Sequence, residues 1–363
     1  MTPAPSPLTP HSRIYVAGHR GLVGSALMRN LRAKGCTEII TRSHAELDLT
    51  DQAAVRAFFA GQRPEYVFLA AAKVGGIVAN NTYPAEFIHR NLAIQTNVIH
   101  EAYRSGVKRL LFLGSSCIYP RDCPQPMQEE YLLTGPLEAT NRPYAVAKIA
   151  GIEMCWAYNR QYGTQYLAVM PTNLYGPGDN YDLENSHVLP AMIRKFHLAK
   201  LAMEGDLDAI KKEEDASGPI PPDIKKAIGL SPDSSLLTPH SSPKVVLWGT
   251  GAPRREFLYS DDMADATVFL AGLPADKFSS LLTPHSSPLV NIGCGEDLTI
   301  RELALLVKDV VGFSGKLTFD RTKPDGTMRK LLAVDKINEL GWKATTDLRD
   351  GISAVYANYR TKA

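Results

Sequence analysis

Apolar and polar positions along the chain alternate between two periods. Residues 13–17, 38–41, 66–71, 109–113 and 166–170 are short, largely apolar runs of strand length. Between them, residues 22–34, 55–61 and 91–105 repeat apolar positions at helical spacing. This alternation predicts an α/β chain built on a doubly wound parallel sheet. The rhythm breaks between residues 200 and 244, which are polar, charged and interrupted by proline, so this region belongs to a second lobe or an insertion. It resumes with an apolar strand at 245–248, a helix start at Asp261-Asp262-Met263 and α/β patterning to residue 360.

Ten residues occur twice unchanged. Residues 234–243 and 279–288 both read SSLLTPHSSP, and the fragment Leu8-Thr9-Pro10-His11-Ser12 stands near the N-terminus. The spacing is not that of a solenoid, and the Ser- and Pro-rich composition predicts surface loops or disordered tails. His11, His240 and His285 belong to this repeat, which removes them from the catalytic or metal-binding candidates.

With 363 residues, the chain can bury one large core and a smaller second lobe. A net charge of +2 with no long Lys/Arg run argues against nucleic acid or an anionic membrane as partner. No apolar stretch approaches the ~18 residues of a membrane span, and residues 1–12 lack the apolar segment of a secretory signal. Cysteines 36, 117, 123, 155 and 294 form an odd set without Cys-x-x-Cys spacing. Neither a disulfide framework nor a metal site is expected, and the cytoplasm is the expected compartment.

The first predicted strand runs into Gly18-His19-Arg20-Gly21-Leu22-Val23-Gly24. Glycines let the backbone turn tightly and approach a pyrophosphate resting on the next helix N-terminus, so strand, turn and helix together predict dinucleotide binding. Enzymes that prefer NAD carry an acid after the second strand for the ribose hydroxyl. Here that place reads Thr41-Arg42-Ser43-His44. Arg20 and Arg42 suit a 2′-phosphate, so NADPH is the expected cofactor.

Tyr144-Ala145-Val146-Ala147-Lys148 places a tyrosine and a lysine four apart, on one face of a helix. Gly114-Ser115-Ser116-Cys117 follows an apolar strand, which sets its hydroxyls at the carboxyl end of the sheet, where ligands bind. Reduction of a ketone needs an acid at its oxygen, and Tyr144 can serve, with Ser115 as second donor. An ammonium at ~4 Å in an effective dielectric of ~20 attracts a phenolate by about 4 kcal/mol, enough to lower its pKa by about 3. Lys148 is therefore expected to poise Tyr144.

The glycine loop, spaced Gly-x-x-Gly-x-x-Gly, with Ser115 and the Tyr144/Lys148 pair, resembles the extended short-chain dehydrogenase/reductase family. Within it, residues 18–24, 70–84 (AAAKVGGIVANNTYP), 114–120 (GSSCIYP), 171–177 (PTNLYGP) and Arg255-Glu256-Phe257 are similar to enzymes that convert GDP-4-keto-6-deoxy-D-mannose to GDP-L-fucose. The likeness runs from residue 13 to 351, inserted segments excepted. It implies a Rossmann-type sheet with a smaller C-terminal α/β substrate lobe, and epimerisation at C3 and C5 followed by NADPH reduction at C4. Both epimerised carbons flank the ketone, so their protons are acidified, and inversion needs a base on one face and an acid on the other. The resemblance implies Cys117 and His187 as that pair, and a thiol and an imidazole titrate near neutrality. A buried apolar thiol and a helix-capping histidine are the structural alternatives.

By the same resemblance, the cofactor would be lined by residues 18–24, Arg42, Ala70, Ala71, Leu113, Gly114, Ser115, Ser116, Lys148, Pro171, Thr172, Asn173, Leu174 and His187. Lys195, Trp248, Arg255, Asp325 and Lys330 would hold the GDP-sugar, Arg255 offering a bidentate fork to a diphosphate; Trp248 reads equally as a core aromatic. A homodimer is implied too. Two departures stand out: His44 where a second arginine is usual, and Lys195 where the family carries an arginine.

The expected organisation is a disordered tail over 1–12 and an NADP-binding domain over 13–185, with 256–278 and 289–293 returning to it. A substrate lobe would comprise 186–255 and 294–351, with inserted loops at 203–243 and 279–288. The first insertion precedes Trp248, where it either gates the substrate or decorates the surface. A 4-epimerase or 4,6-dehydratase is the nearest rival, but a dehydratase carries an Asp-Glu pair where this chain has Ser116 and Cys117. A non-catalytic NADP-binding regulator would have no need of Tyr144 and Lys148.

Overall fold

The apolar runs become strands with continuous rather than alternating burial: β1 (Ile14–Ala17), β3 (Tyr66–Leu69) and β4 (Arg109–Leu113) are buried at every position. Only a sheet covered on both faces allows this. The computed structural model describes residues 8–237, 242–282 and 288–361. They divide into two compact units, the first of residues up to 174, 258–295 and 331–345, the second of 175–257, 296–330 and 346 onward. The repeats' His240 and His285 lie outside the described residues.

In the first unit the chain runs through β1, α1 (Leu22–Ala33), β2 (Ile39–Ile40), α2 (Gln52–Gln62), β3, α3 (Ile77–Thr82), α4 (Pro84–Arg104), β4, α5 (Arg142–Tyr162) and β5 (Tyr166–Pro171). After β6 (Asn173–Tyr175) it enters the second unit through α6 (Val188–Glu204), α7 (Leu207–Ser217), α8 (Pro222–Ile228), β7 (Lys244–Trp248) and β8 (Arg254–Arg255). It returns with β9 (Phe257–Tyr259), α9 (Ser260–Ala271), α10 (Ala275–Ser280) and β10 (Leu289–Ile292). The second unit resumes with β11 (Leu298–Thr299), α11 (Ile300–Val311), β12 (Lys316–Asp320) and β13 (Arg329–Lys330). After α12 (Asp335–Glu339) in the first unit, α13 (Leu348–Arg360) completes the second.

The expected doubly wound sheet is present. Six strands among the described residues pair in parallel in the order β10-β5-β4-β3-β1-β2. Side chains alternate across it: Ile14, Val16, Tyr66 and Phe68 join the core under α1 and α9, while Tyr15, Ala17, Val67 and Leu69 join the core under α2, α4 and α5. The chain leaves β1 toward β2 on one side and β3 on the other. That reversal opens a crevice at the carboxyl ends of β1 and β3.

Three local expectations change. The helix anticipated over 91–105 starts at Pro84, because proline's fixed φ and missing N–H suit a first helical turn. Residues 8–12, expected within a disordered tail, form a turn in which Ser12 Oγ accepts from Thr9 N at 2.9 Å, and Ser12 is buried. Inside the inserted region, α7 and α8 are regular helices, and the Asp206 carboxylate caps α7 by accepting from Ala209 N at 2.9 Å.

Insertion helix α7 is fastened by charge as well as by apolar packing. Arg194 on α6 and Glu213 on α7 are both fully buried, with Nε and Oε1 2.7 Å apart. Arg194 also donates to the carbonyls of Tyr181 and Ser217 at 3.1 and 2.7 Å, and the Tyr359 hydroxyl donates to Glu213. Removing one partner of a buried pair strands the other charge and costs about 3–5 kcal/mol. Glu213→Ala should therefore lower stability by about that amount in chemical denaturation; a loss under about 1 kcal/mol would mean the pair contributes no more than a surface bridge.

Candidate active site

The glycine turn sits at the reversal between β1 and β3. Gly18 has φ +83°, and a Cβ there would lie 2.7 Å from the Ala71 nitrogen. A Cβ on Gly24 would stand 2.0 Å from the Gly18 carbonyl oxygen. Both glycines are thus demanded by the turn's own packing, which brings the loop, Ala70 and Ala71 together at the N-terminus of α1. Gly21 occupies the N-cap of α1 without a side chain to fill it, leaving the first helical N–H groups available to an anion. The His19 Nδ1 atom is buried without a hydrogen-bond partner, and burial lowers this imidazole's pKa. A cradle without side chains and free helix N–H groups fit a dinucleotide diphosphate.

The basic residues are arranged unequally. Arg42 is half-buried, donates to the Thr41 carbonyl at 2.7 Å and lies 5.6 Å over the Phe58 ring, so its guanidinium is held in place. Arg20 is exposed. Both influence Glu46, whose carboxylate is held below its usual range first by hydrogen bonds from Ser43. His44 is exposed, 3.8 Å from Asp48.

Four predicted catalytic side chains come together at the carboxyl end of β4. Ser115 ends the strand's extension and caps the short 3-10 turn Ser116–Ile118, its Oγ accepting from the Cys117 N–H at 3.4 Å. The Ser115 hydroxyl also hydrogen-bonds Tyr144. Lys148, one helical turn beyond Tyr144, donates to the Leu113 carbonyl at 2.7 Å and lies 5.8 Å from the tyrosine ring centroid. The buried Cys117 acts electrostatically on both Tyr144 and Lys148. Phe87 packs edge-on against Tyr144 with centroids 6.2 Å apart.

Titration in this cluster is governed by desolvation. Burial lowers the Lys148 ammonium to a pKa of about 8. It raises the Tyr144 phenol well above its ordinary value, with Cys117 reinforcing the rise and the Ser115 bond opposing it. The expectation that Lys148 poises Tyr144 downward is not met, because the ammonium is turned to the Leu113 carbonyl. Tyr144 is instead firmly protonated, the state required of a proton donor.

The remaining predicted residues belong to the second unit, apart from Pro171, Thr172, Asn173 and Leu174, which leave β5 in the first. His187 stands at the N-cap of α6 but makes no side-chain capping bond, so the capping role does not apply. Desolvation keeps its imidazole below the usual pKa. Lys195, on α6, is lowered by burial, with Asp223 of the insertion helix α8 opposing. Trp248 is 56% exposed at the end of β7, with the Lys323 ammonium 5.3 Å from its ring, which removes the core-aromatic alternative. Arg255 on β8 and Lys330 on β13 face each other in parallel register. Asp325 is committed to the loop beside them, accepting from Thr250 N at 2.6 Å and Thr250 Oγ1 at 2.8 Å.

Sequence reasoning missed Asp297, which joins Arg254 and Arg329 behind the Arg255/Lys330 pair. Nothing local signals it: 43 residues separate it from one partner and 32 from the other.

Comparison with known proteins establishes the family. The family described as the NAD dependent epimerase/dehydratase family matches residues 14–211 and 234–281. GDP-L-fucose synthase 1 of Arabidopsis thaliana is 53% identical over 348 residues, covering 96% of this chain and 93% of the relative. GDP-L-fucose synthase of Escherichia coli K12 is 48% identical over 344 residues, covering 95% of each. The solved structure of MlghC, a GDP-mannoheptose C4 reductase from Campylobacter jejuni with NADP bound, superposes with TM-score 0.81 at 40% identity, covering 97% of this chain and 99% of that one. The chain belongs to the NAD dependent epimerase/dehydratase family and, within it, to the GDP-L-fucose synthase group.

Proposed function

We propose that this chain converts GDP-4-keto-6-deoxy-D-mannose to GDP-L-fucose, inverting C3 and C5 and then reducing the C4 ketone with NADPH. The observation that carries the reading is the cluster at the end of β4, where a protonated Tyr144 bonded to Ser115 shares its surroundings with the Cys117 thiol. Relatives named GDP-L-fucose synthase and a C4 reductase with bound NADP support the substrate class and the cofactor.

Ser115 and Tyr144 donate to the C4 oxygen, stabilising the enolate that forms when a proton leaves C3 or C5. Cys117 and His187 exchange those protons, one residue taking and the other returning on the opposite face. When bound, NADPH would supply hydride to C4 in the last step, with Tyr144 delivering the proton to the oxygen. The glycine turn, Ala70, Ala71 and α1 hold the diphosphate of the cofactor, Lys148 its ribose, and Arg20 and Arg42 the 2′-phosphate. Lys195, Trp248, Arg255 and Lys330 bind the GDP-sugar, with Asp325 shaping the loop beside them. The same reading includes the cytoplasm as compartment and a homodimer in which α4 makes the contact.

Incubation with the keto sugar nucleotide tests the reading. One NADPH consumed per sugar with an L-configured product supports it. Recycled cofactor without net consumption would overturn it in favour of a 4-epimerase, and reduction without inversion in favour of a C4 reductase. Cys117→Ser should bind NADPH normally and slow C3/C5 solvent exchange by about 10²–10⁴-fold; unchanged exchange removes the thiol from the mechanism. Lys148 generates a pH prediction. Its folded pKa of about 8 lies below the ordinary 10.5, so its contribution to stability improves as pH rises between those values. Loss of NADPH affinity over the same range cannot then be ascribed to Lys148-linked unfolding. The NADPH Kd should climb above pH ~8, approaching tenfold per pH unit, and Lys148→Met should bind weakly with no such break.

A further inference from the structure

β8, β11 and β13 are two-residue strands, too short to hold one another by ladder hydrogen bonds alone. Their order is β11-β8-β13, and the register pairs Arg254 with Arg329 and Thr299, and Arg255 with Lys330 and Leu298. Alternation therefore puts Arg254 and Arg329 on one face and Arg255 and Lys330 on the other. Two adjacent arginines facing the same way repel unless a counter-ion lies between them.

Asp297 is that counter-ion. Its side chain is 4% exposed, Oδ1 accepts from Arg254 Nε at 2.6 Å, and Oδ2 accepts from Arg329 Nε at 2.5 Å. Arg254 Nη2 donates as well to the Asp297 carbonyl at 2.8 Å. One buried carboxylate thus bridges the central strand β8 to β13, and its own backbone leads directly into β11. Arg254 Nη1 also lies 3.8 Å from Glu302, which forms the capping box of α11 with Thr299. On the opposite face Arg255 is half-buried; its Nη1 donates to the Arg254 carbonyl at 2.8 Å, and burial lowers its pKa with no carboxylate opposing.

We propose that Asp297 is a positioning residue for the diphosphate of the sugar nucleotide: by joining Arg254 and Arg329 behind the sheet, it fixes Arg255 and Lys330 side by side in front. This rests on the reading of Arg255 and Lys330 as diphosphate ligands given above. Asp297 touches neither substrate nor cofactor. It acts through the strands that carry those cations.

The test compares Asp297→Asn, Arg255→Ala and the double variant in steady-state kinetics, with GDP and guanosine as competitive probes. For Asp297→Asn, the sugar-nucleotide KM and the GDP inhibition constant should rise about tenfold or more, as for loss of a charged hydrogen bond. kcat, the NADPH KM and the guanosine inhibition constant should stay within about twofold. The double variant should bind GDP no more weakly than Arg255→Ala alone, since both act on one contact. Asp297→Glu, which keeps the charge, should recover part of the GDP affinity. If Arg255→Ala weakens GDP but Asp297→Asn does not, the positioning role is wrong while the diphosphate site stands. If Arg255→Ala leaves GDP binding unchanged, the diphosphate reading itself fails. If Asp297→Asn also loses NADPH binding and Asp297→Glu recovers nothing, Asp297 is merely structural and the proposal is overturned.

Discussion

An ammonium group enclosed between a helix and the end of a buried strand must find a partner or lose its proton, and Lys148 does part of each. Its Nζ donates to the Leu113 carbonyl at 2.7 Å, while burial draws its pKa down to about 8. That bond ties α5 to the carboxyl end of β4. Tyr144, one turn earlier on the same helix, is thereby set against Ser115, the second residue after the strand. The tie acts with the buried face of α5 and the Gln95 donation to the Ala147 carbonyl to fix the phenol. The low-dielectric setting around it strengthens each polar contact there.

The strand Lys148 reaches is itself placed by the sheet. β4 lies between β3 and β5, with side chains buried on both faces, so its end cannot drift. The same architecture produces the reversal between β1 and β3, where Gly18 approaches Ala71 too closely for any side chain. Cofactor cradle and proton donors therefore grow from neighbouring strand ends of a single parallel sheet. The second unit relies on a different device. There β8, β11 and β13 have two residues each, and charge contacts add to their ladder: Asp297 joins two arginines beneath β8, while the buried Arg194–Glu213 pair fastens the insertion helix.

Where expectation and structure diverge, the cause is desolvation or a distant contact. Four-residue spacing on one helix face predicts that the Lys148 ammonium lies beside Tyr144 and draws its pKa down. In the fold the ammonium is turned to a backbone carbonyl and the phenol is buried, so burial outweighs attraction. Charged composition made the region before β7 read as inserted loop, yet a buried arginine from α6 supplies the partner that lets α7 pack there. Asp325 carries an ordinary carboxylate in sequence, and only the fold commits it to Thr250.

The sequence by itself determined what depends on local spacing: the alternation of strand and helix, the glycine turn, and the placing of Tyr144 and Lys148 on one helix face. These follow from the periods of the strand and the helix and from the steric freedom of glycine, properties of neighbouring residues. Tertiary structure alone decided the electrostatics of the site, namely which way Lys148 points, that Tyr144 stays protonated, and that Asp297 lies between Arg254 and Arg329. Each depends on how much water is excluded around a group and on partners tens of residues away. A linear pattern carries no record of either.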